Sequence, residues 1–347
     1  MAGLRHDQID DFVTLTLSKF IKHKFTDLAL ELTEYIAQMI INEKKVEYQG
    51  GKDISWRIKT KNIGTARNSG LYDTDVTAVD DVMVSASTPW FMQTTNFSYD
   101  IYEDLFQSDG ETIIRELKIR EQSALSDMAE LQEENLWSAP TSTTDNRPMG
   151  IPFWLQKDPT TTPGGAFNGG NPSGFSAGAA GVSSTTYPGW SNWTFGYTNV
   201  TTADMVKKVK KALRFTDFRS PVPHAELGWG KNSCEMYTTY DVIDDLERLA
   251  ESRNDNLGKD VAKYMNQVTI GGCPVKFVHY LENNDSSKPI YGVNWKVFRP
   301  YVKTGCNMRR NKPKEAARQH TVREVHIDNW MNYTCVNRRA CFSGSVA

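Results

Sequence analysis

One long helical pattern constrains the fold of this chain more than any other feature. Ser108 and Glu111 match a capping box at the start of a helix, and apolar residues then recur at helical spacing as far as residue 137. A helix over residues 109–137 would be about 44 Å long. Its opposite face is charged, at Glu116, Lys118, Arg120, Glu121, Asp127, Glu130 and Glu133. So narrow an apolar stripe on so long a helix predicts a spine, against which other parts of the fold are laid.

Residues 46–100 predict a long excursion with two arms of opposite charge. Apolar and basic residues alternate along the first arm with the period of a strand, at Ile54, Trp56, Arg57, Ile58, Lys59 and Lys61. The second arm is acidic, at Asp73, Asp75, Asp80 and Asp81. An arm of about 15 residues would reach about 50 Å, farther than a compact core requires. The segment therefore predicts an extended β-hairpin that serves assembly rather than folding.

The composition excludes several classes of protein. Lys and Arg number 40 and Asp and Glu 42, so the net charge of −2 excludes a globally basic nucleic-acid binder. No apolar run approaches the length of about 18 residues that is typical of a transmembrane helix, and the first residues lack a signal-peptide core. We therefore expect a soluble protein made in a cytoplasm. The cysteines lack ligand spacing and predict reduced thiols, at Cys234, Cys273, Cys306, Cys335 and Cys341.

Residues 157–200 are rich in glycine and threonine, and the segment is long for a loop inside a compact domain. Its glycines match neither the dinucleotide-binding nor the P-loop fingerprint, so no phosphate site is predicted. Several aromatic residues close the segment, at Trp190, Trp193, Phe195 and Tyr197. They either stack on a sugar or a base, or pin the loop to its own domain.

From residue 201 the pattern is that of an ordinary α/β domain. It predicts helices at 202–214, 240–252 and 257–265, with strands around 267–270, 274–279 and 289–298. The first helix carries a basic outer face, and a second basic cluster follows after residue 308. One interpretation is a solvated surface, and the other is a docking surface for phosphates or for an acidic neighbour. The basic residues concerned are Lys207, Lys208, Lys210, Lys211, Arg214, Arg309 and Arg310.

The closing stretch, 320–347, is rich in potential metal ligands. Val325 and Ile327 alternate with Glu324, His326 and Asp328, which is the period of a half-buried strand. A zinc site needs three or four convergent ligands, and the spacing here lets only His326 and Asp328 converge. The stretch therefore predicts a strand and no metal site. No other residues fall in a recognisable catalytic context, so neither an enzyme nor a cofactor is predicted.

The order of these elements resembles the major capsid protein of tailed bacteriophages, with its Hong Kong 97-type fold. Local likeness lies in NRPMGIPFWLQ at 146–156, in YTTYDVIDDLERLAESRNDNLGKDVAKY at 237–264 with the strands that follow it, and in QHTVREVHIDNWMNYTCVNRRACF at 319–342. The resemblance covers most of the chain from residue 100 onward, and the earlier part more weakly. It implies an α+β fold with an N-terminal arm, an extended β-hairpin loop, a peripheral domain with a long spine helix, and an axial domain.

The resemblance also divides the chain into segments. It implies an arm at 1–45, the hairpin at 46–100, the peripheral domain at 101–156, a Gly/Thr-rich insertion or loop at 157–200, the axial domain at 201–305, and closing strands of the peripheral domain at 306–347. In the family the hairpin lies over the spine of a neighbouring subunit. The apolar, basic and acidic residues of the two arms would then form an inter-subunit contact.

The function that the resemblance implies is structural. The chain would self-assemble, as hexamers and pentamers, into the icosahedral head shell around double-stranded DNA, with assembly in the bacterial host cytoplasm and a final place in the virion. A portal protein is an expected partner, and so is a separate scaffolding protein, because only residues 1–45 precede the hairpin. A decoration protein is a further candidate partner. Contact with the packaged DNA would be non-specific, and no contact with a membrane is expected.

Two other functions stay open on the sequence alone. One keeps the fold and makes the chain the shell of an encapsulin-like compartment that encloses cargo enzymes. The other is a glycan-binding protein or enzyme that uses the Trp-rich loop.

Overall fold

The computed structural model of the chain describes residues 35–74, 77, 80–102, 110–160, 163–219, 229, 233–251 and 268–346, with the backbone alone at 110–116 and 251. Some predictions concern residues outside these ranges: the arm before residue 35, Asp75, Ser108 of the capping box, and the helix at 257–265. The described residues form two large β-sheets, a separate two-stranded hairpin, and the helices that pack on them.

A six-stranded sheet is organised around one long strand. Its members are β1 (Val46–Tyr48), β4 (Phe91–Asp100), β11 (Phe298–Lys303), β12 (Arg309–Arg310), β13 (Lys314–Ala316) and β14 (Gln319–Cys335). Strand β14 pairs antiparallel with β4, β11, β12 and β13, and β1 joins the edge in parallel with β11. The strand predicted for the closing stretch is confirmed by β14. Val325 and Ile327 are buried, while Glu324 and His326 point to the partly exposed face, as period two requires.

The predicted spine is confirmed by helix α2, which spans Gly110–Trp137. Its 28 residues correspond to about 42 Å. Ala124, Met128 and Leu136 of the predicted stripe are buried. The helix packs on β4, where Nη1 of Arg120 donates to the carbonyl of Ser98 at 3.0 Å.

Glu133 does not lie on the charged outer face where the sequence places it. It is buried, and its Oε2 accepts a hydrogen bond of 2.7 Å from the backbone N–H of Ala37 in helix α1 (Ile36–Lys44). Its Oε1 accepts a second bond of 2.7 Å from Nε1 of Trp137. The first N–H groups of a helix have no partner within it, so Glu133 caps α1 from the neighbouring helix. Burial, opposed by these hydrogen bonds, raises the pKa of Glu133 to about 7.

The second sheet has seven strands. They are β5 (Ala166–Phe167), β6 (Trp193–Tyr197), β7 (Cys234–Thr238), β8 (Thr269–Ile270), β9 (Cys273–Phe277), β10 (Ile290–Asn294) and β15 (Phe342–Val346). Their order across the sheet is β5-β6-β15-β10-β7-β9-β8. The remaining α-helices of the described residues are α3 (Ile151–Trp154), α4 (Lys207–Thr216), α5 (Tyr240–Glu251) and α6 (His279–Asn284). A π-helical turn, Thr202–Val206, precedes α4, and short 3-10 helices lie at Pro188–Trp190 and Arg338–Ala340.

The two sheets divide the chain differently from the predicted segments. The Gly/Thr-rich segment 157–200 supplies β5 and β6, so part of it belongs to the seven-stranded sheet. The last strand, β15, inserts between β6 and β10, whereas the prediction placed 306–347 with the spine. Conversely, β11 lies in the predicted axial segment and pairs with β14 in the other sheet. Strand partners of this kind are far apart in sequence, and local patterns do not specify them.

Only part of the predicted excursion is a separate hairpin, because β1 and β4 at its two ends belong to the six-stranded sheet. The separate hairpin consists of β2 (Asp53–Lys59) and β3 (Met83–Pro89). Each strand has 7 residues, which corresponds to about 23 Å of paired strand. We call β2 and β3 the hairpin base, and residues 60–82 the hairpin tip.

The prediction of reduced thiols is wrong for two of the cysteines. Cys234 on β7 and Cys273 on β9 form a disulfide, with their Cα atoms 5.4 Å apart. These strands are parallel neighbours, so the pair is brought together by sheet formation and not by sequence spacing. Cys306, Cys335 and Cys341 are free.

Candidate functional site

The hairpin base packs on the core of its own subunit. Ile54 is buried, and the rings of Trp56 and Trp154 lie 6.3 Å apart between centroids. The backbone N–H of Ser87 donates to the carbonyl of Ala180, in the Gly/Thr-rich segment, at 3.1 Å. The prediction offered the apolar face of this strand to a neighbouring subunit, but Ile54 is already covered. The segment predicted as an insertion contacts the hairpin base through the hydrogen bond between Ser87 and Ala180.

The hairpin tip, in contrast, is exposed at residues 61–74, 77, 80 and 81. The turn at 70–73 presents Leu71 and Tyr72, whose exposures are 94% and 103%. The carboxylate of Asp73 closes this turn by accepting from the N–H of Gly70 at 2.8 Å. Tyr72 has φ of 70°, a left-handed conformation that a bulky side chain rarely adopts. The tip therefore presents two apolar side chains that the described residues of the subunit do not cover.

Part of the charge on the two arms is used inside the hairpin. Nζ of Lys61 lies 2.9 Å from Oδ2 of Asp80, with both side chains about half exposed. The guanidinium of Arg67 donates to the carbonyl of Thr74. Other charged side chains of the prediction are exposed, namely Arg57, Lys59 and Asp81. The two arms were predicted to have complementary charges. At Lys61 and Asp80 these charges form an ion pair within one chain.

Some basic side chains of helix α4 have partners inside the subunit, and others are exposed without an ion-pair partner among the described residues. Lys208 lies 2.6 Å from Oδ1 of Asp204, and Nζ of Lys211 donates to the carbonyl of Gly164 at 2.8 Å. Burial tends to raise the pKa of Asp204, but the hydrogen bonds from Lys208 and two backbone N–H groups hold it at about 2. The remaining cations are exposed and have no ion-pair partner within the described ranges; they are Lys207, Lys210 and Arg214.

The second predicted basic cluster lies apart from the first. Arg309 and Arg310 form β12 of the six-stranded sheet, whereas α4 packs on β6 and β15 of the seven-stranded sheet. Arg310 pairs with Glu121 of the spine helix. Arg309 is exposed and stands opposite Asp328 in the strand register. The structure therefore does not unite the two clusters into one surface.

The aromatic residues of the Trp-rich loop lie inside the protein. Trp190, Trp193, Phe195 and Tyr197 are all buried, and Nε1 of Trp190 donates to the carbonyl of Ala179 at 3.2 Å. They pin the segment to its own domain, which was one of the two interpretations. Stacking on a sugar or a base would need exposed rings, so the glycan-binding hypothesis loses the residues on which it depended.

Arg338 was missed by the sequence analysis, although it anchors the same segment. Its guanidinium is buried and donates to the carbonyls of Trp154, Trp190 and Gly170 at 2.7, 3.2 and 2.9 Å. A fourth bond of 3.2 Å reaches Oδ1 of Asn192. Burial lowers the pKa of Arg338 to about 10. In the sequence Arg338 is simply followed by another arginine, Arg339. Nothing in that local pattern indicates that the guanidinium of Arg338 will be surrounded by carbonyl groups.

The described residues contain no group of three metal-ligating side chains that could hold an ion. In the closing stretch, Nε2 of His326 lies 3.6 Å from Glu324, and Oδ2 of Asp328 accepts from Asn311. Among the same residues, no helix has both the length and the apolar character needed to cross a membrane.

Comparison with known proteins gives matches among solved structures only. No family model matches the chain, and no curated protein matches it. The capsid asymmetric unit of cyanophage A-1(L) aligns with a TM-score of 0.60 and 14% identity, over 95% of this chain and 98% of that one. The capsid of an empty GTA particle aligns at 0.55 with 10% identity, over 94% and 95%. The capsid of Myoviridae phage XM1 aligns at 0.52 with 9% identity, over 95% and 96%. Identities this low show the fold alone: the chain has the α+β fold of tailed-phage capsid subunits, the Hong Kong 97-type fold predicted from its sequence.

Proposed function

We propose that this chain is a major capsid protein, which self-assembles into the icosahedral head shell of a tailed phage around its double-stranded DNA. The observation that carries the proposal is the extent of the structural likeness. The alignment with the cyanophage capsid subunit covers 95% of this chain and 98% of the other, so a capsid fold accounts for almost the whole chain. The role is structural, since the shell is made by contacts between subunits and requires no chemical step.

The exposed apolar side chains of the hairpin tip also support the proposal, because their burial against a neighbouring subunit would be energetically favourable. Burial of one leucine side chain contributes about 1.5–3 kcal/mol, and Leu71 and Tyr72 are uncovered in the subunit. We infer that the tip binds a neighbouring subunit within and between the hexamers and pentamers of the shell. Asp73 and Asp81 of the tip then supply charges around this contact, and Arg57 and Lys59 on the adjoining strand β2 add two exposed cations beside it. The same small contribution, repeated at every interface of a closed shell, gives a large total.

The partners follow from this role and are part of the proposal. A portal protein occupies one vertex, a scaffolding protein guides assembly in the bacterial cytoplasm, and a decoration protein is a further candidate for the finished virion. The exposed cations Lys207, Lys210, Arg214 and Arg309 are candidates for contact with packaged DNA or with acidic neighbours. Contact with DNA through such side chains is electrostatic and independent of base sequence.

Electron microscopy and sedimentation of the overexpressed protein, produced together with its scaffolding protein, test the proposal. We expect capsomers or closed shells. A population of 39.2 kDa monomers at high concentration would contradict it. Particles from infected cells should contain DNA, whereas particles filled with a cargo enzyme would support the encapsulin-like compartment instead.

A further inference from the structure

Two helices of opposite charge lie on the seven-stranded sheet. Helix α4, with the sequence KKVKKALRFT, has five basic residues and no acidic one. Helix α5, with the sequence YDVIDDLERLAE, has five acidic residues and a single arginine. Helices of this length in a soluble domain commonly mix both signs on their outer faces. The separation of charge between α4 and α5 is therefore a feature to be explained.

The two helices cover different parts of one face of the sheet. Helix α4 packs on β6 and β15, and α5 packs on β9. In the strand order these positions are separated by β10 and β7. Val209 of α4 and Leu246 of α5 belong to the same buried cluster. The apolar sides of both helices thus face the sheet together, and their charged sides lie outward.

On each helix some charged side chains form no ion pair among the described residues of the subunit. These side chains are basic on α4 and acidic on α5. On α4, Lys207 and Lys210 are exposed and without an ion-pair partner among the described residues. On α5, Asp241 pairs with Lys288 at 2.7 Å and Asp244 with Arg248 at 2.8 Å. Asp245 and Glu247 form no direct ion pair within the same ranges, although Asp245 lies close enough to Lys288 to contribute to the raised pKa of that lysine. Each helix therefore keeps at least two charges of one sign for a contact outside the subunit.

Each charged helix also carries one aromatic ring that is only half covered. Phe215, near the end of α4, is 56% exposed and stacks on Trp193 with 4.9 Å between centroids. Tyr240, at the start of α5, is 57% exposed and meets Phe277 edge-on at 6.0 Å. In both cases one side of the ring is supported by the core and the other faces solvent. Aromatic residues framed by charges are the composition that protein interfaces favour.

We propose that the α4 surface of one subunit docks on the α5 surface of the next copy, head to tail. The α4 surface comprises Lys207, Lys210, Arg214 and Phe215, and the α5 surface comprises Tyr240, Asp245 and Glu247. A contact between two different surfaces repeats from copy to copy and forms a ring when the rotation closes. The inference rests on the proposed function, which requires rings of this chain, and it names a contact that holds them together.

A second copy explains more of the structure than a nucleic acid does. A phosphate backbone would suit α4, but α5 on the same face would repel it, and Tyr240 would stay uncovered. A second copy matches both charges and both rings at once. The contact is electrostatic in part, so it should weaken as salt is raised above the physiological range, where the Debye length is about 8 Å.

Charge reversal and mixing test the contact. The first variant carries Lys207→Glu and Lys210→Glu, and the second carries Asp245→Lys and Glu247→Lys. None of these four side chains forms a direct ion pair within the described ranges, and Asp245 acts on Lys288 only at longer range. We expect each variant alone to form capsomers about tenfold more weakly than the wild type, measured by sedimentation with the scaffolding protein present. An equimolar mixture should recover, because each reversed surface then meets its complement.

The mixture of the two variants tests the head-to-tail contact more strictly than either variant alone, because it also predicts the size of the ring. Complementary copies must alternate around the ring, so a closed ring needs an even number of them. We expect hexamers and no pentamers, which mass photometry distinguishes. A control with Lys312→Glu and Lys314→Glu, two exposed lysines of the segment that contains β13, should form no alternating ring with the second variant, because its α4 surface is still basic and repels the reversed α5 surface.

The outcomes separate the two proposals. Variants that assemble like the wild type, or a mixture that stays unassembled, would overturn the α4–α5 contact while the capsid function stands. A wild type that forms no oligomer would remove the proposed function and this contact with it. Thermal melting confirms that each variant folds. Should a reversal lower the melting temperature, Lys207→Gln with Lys210→Gln takes its place, with an expected loss of about threefold.

Discussion

The hairpin base and the hairpin tip are parts of one element with different roles. In the base, Ile54 is buried and Ser87 is hydrogen-bonded to Ala180, so the base belongs to the core of the subunit. In the tip, Leu71 and Tyr72 are exposed, and the polar contacts are short-range ones such as that between Asp73 and Gly70. The comparison teaches that a hairpin which serves assembly must first be anchored by its own subunit. Stability should therefore respond to the base, and assembly to the tip.

Replacement of residues 62–79 by a short Gly/Ser turn should have the largest effect on assembly. The cut leaves β2, β3 and the Lys61–Asp80 pair in place, so we expect a subunit that melts cooperatively near the wild-type temperature. It should not close a shell, as judged by electron microscopy. Normal shells from this variant would show that the tip is dispensable. Failure to fold would show that the tip belongs to the core after all.

Ile54→Ala tests the other side of the comparison. The side chain is buried in the base, and its truncation should lower the free energy of unfolding by about 3 kcal/mol. The matched control is Ile63→Ala in the tip, where the side chain is exposed and the change should be about 0.5 kcal/mol or less. Urea denaturation of the two variants measures both values. Equal losses would contradict the division between base and tip.

The core around the spine should also respond to pH through Glu133. Its pKa is raised to about 7 by burial, so the native state favours the protonated form. The stability that this group contributes is present below its unfolded pKa of about 4.5 and is lost as the pH rises through 7. We expect the free energy of unfolding to fall by about 2 kcal/mol between pH 5 and pH 8.

The variant Glu133→Gln should flatten this pH dependence, measured by urea denaturation at several pH values. The control Asp127→Asn removes an exposed carboxylate of the same helix and should leave the profile as in the wild type. A profile that Glu133→Gln does not change would assign the pH dependence to other groups.

The smallest expected effect concerns the ion pair of the tip. Lys61 and Asp80 are both about half exposed at 2.9 Å, and such pairs contribute only about 0–1 kcal/mol. A double-mutant cycle with Lys61→Ala and Asp80→Ala should give a coupling energy in this range for the isolated subunit. A coupling above about 2 kcal/mol would show that the tip is more rigid than its exposure indicates.

Local periodicity carried the correct predictions. The stripe through Ala124, Met128 and Leu136 predicted the spine, and the alternation at Val325 and Ile327 predicted β14, because both periods lie within one continuous segment. The basic face of α4 was predicted for the same reason. The sequence did not predict which lysines of α4 form contacts inside the subunit. Lys211 donates to the carbonyl of Gly164, and this contact exists only after the chain between the two residues has folded.

The sequence by itself determined the spine helix, the long closing strand β14 and the basic outer face of α4. The tertiary structure alone decided that β15 lies between β6 and β10, that Cys234 meets Cys273, and that Glu133 caps α1. The physical reason is the range of the interactions. Helix and strand periods follow from backbone geometry and apolar spacing over a few residues. The pairing of distant strands and the burial of one carboxylate follow from the sum of many weak contacts that exist only when the whole chain has packed.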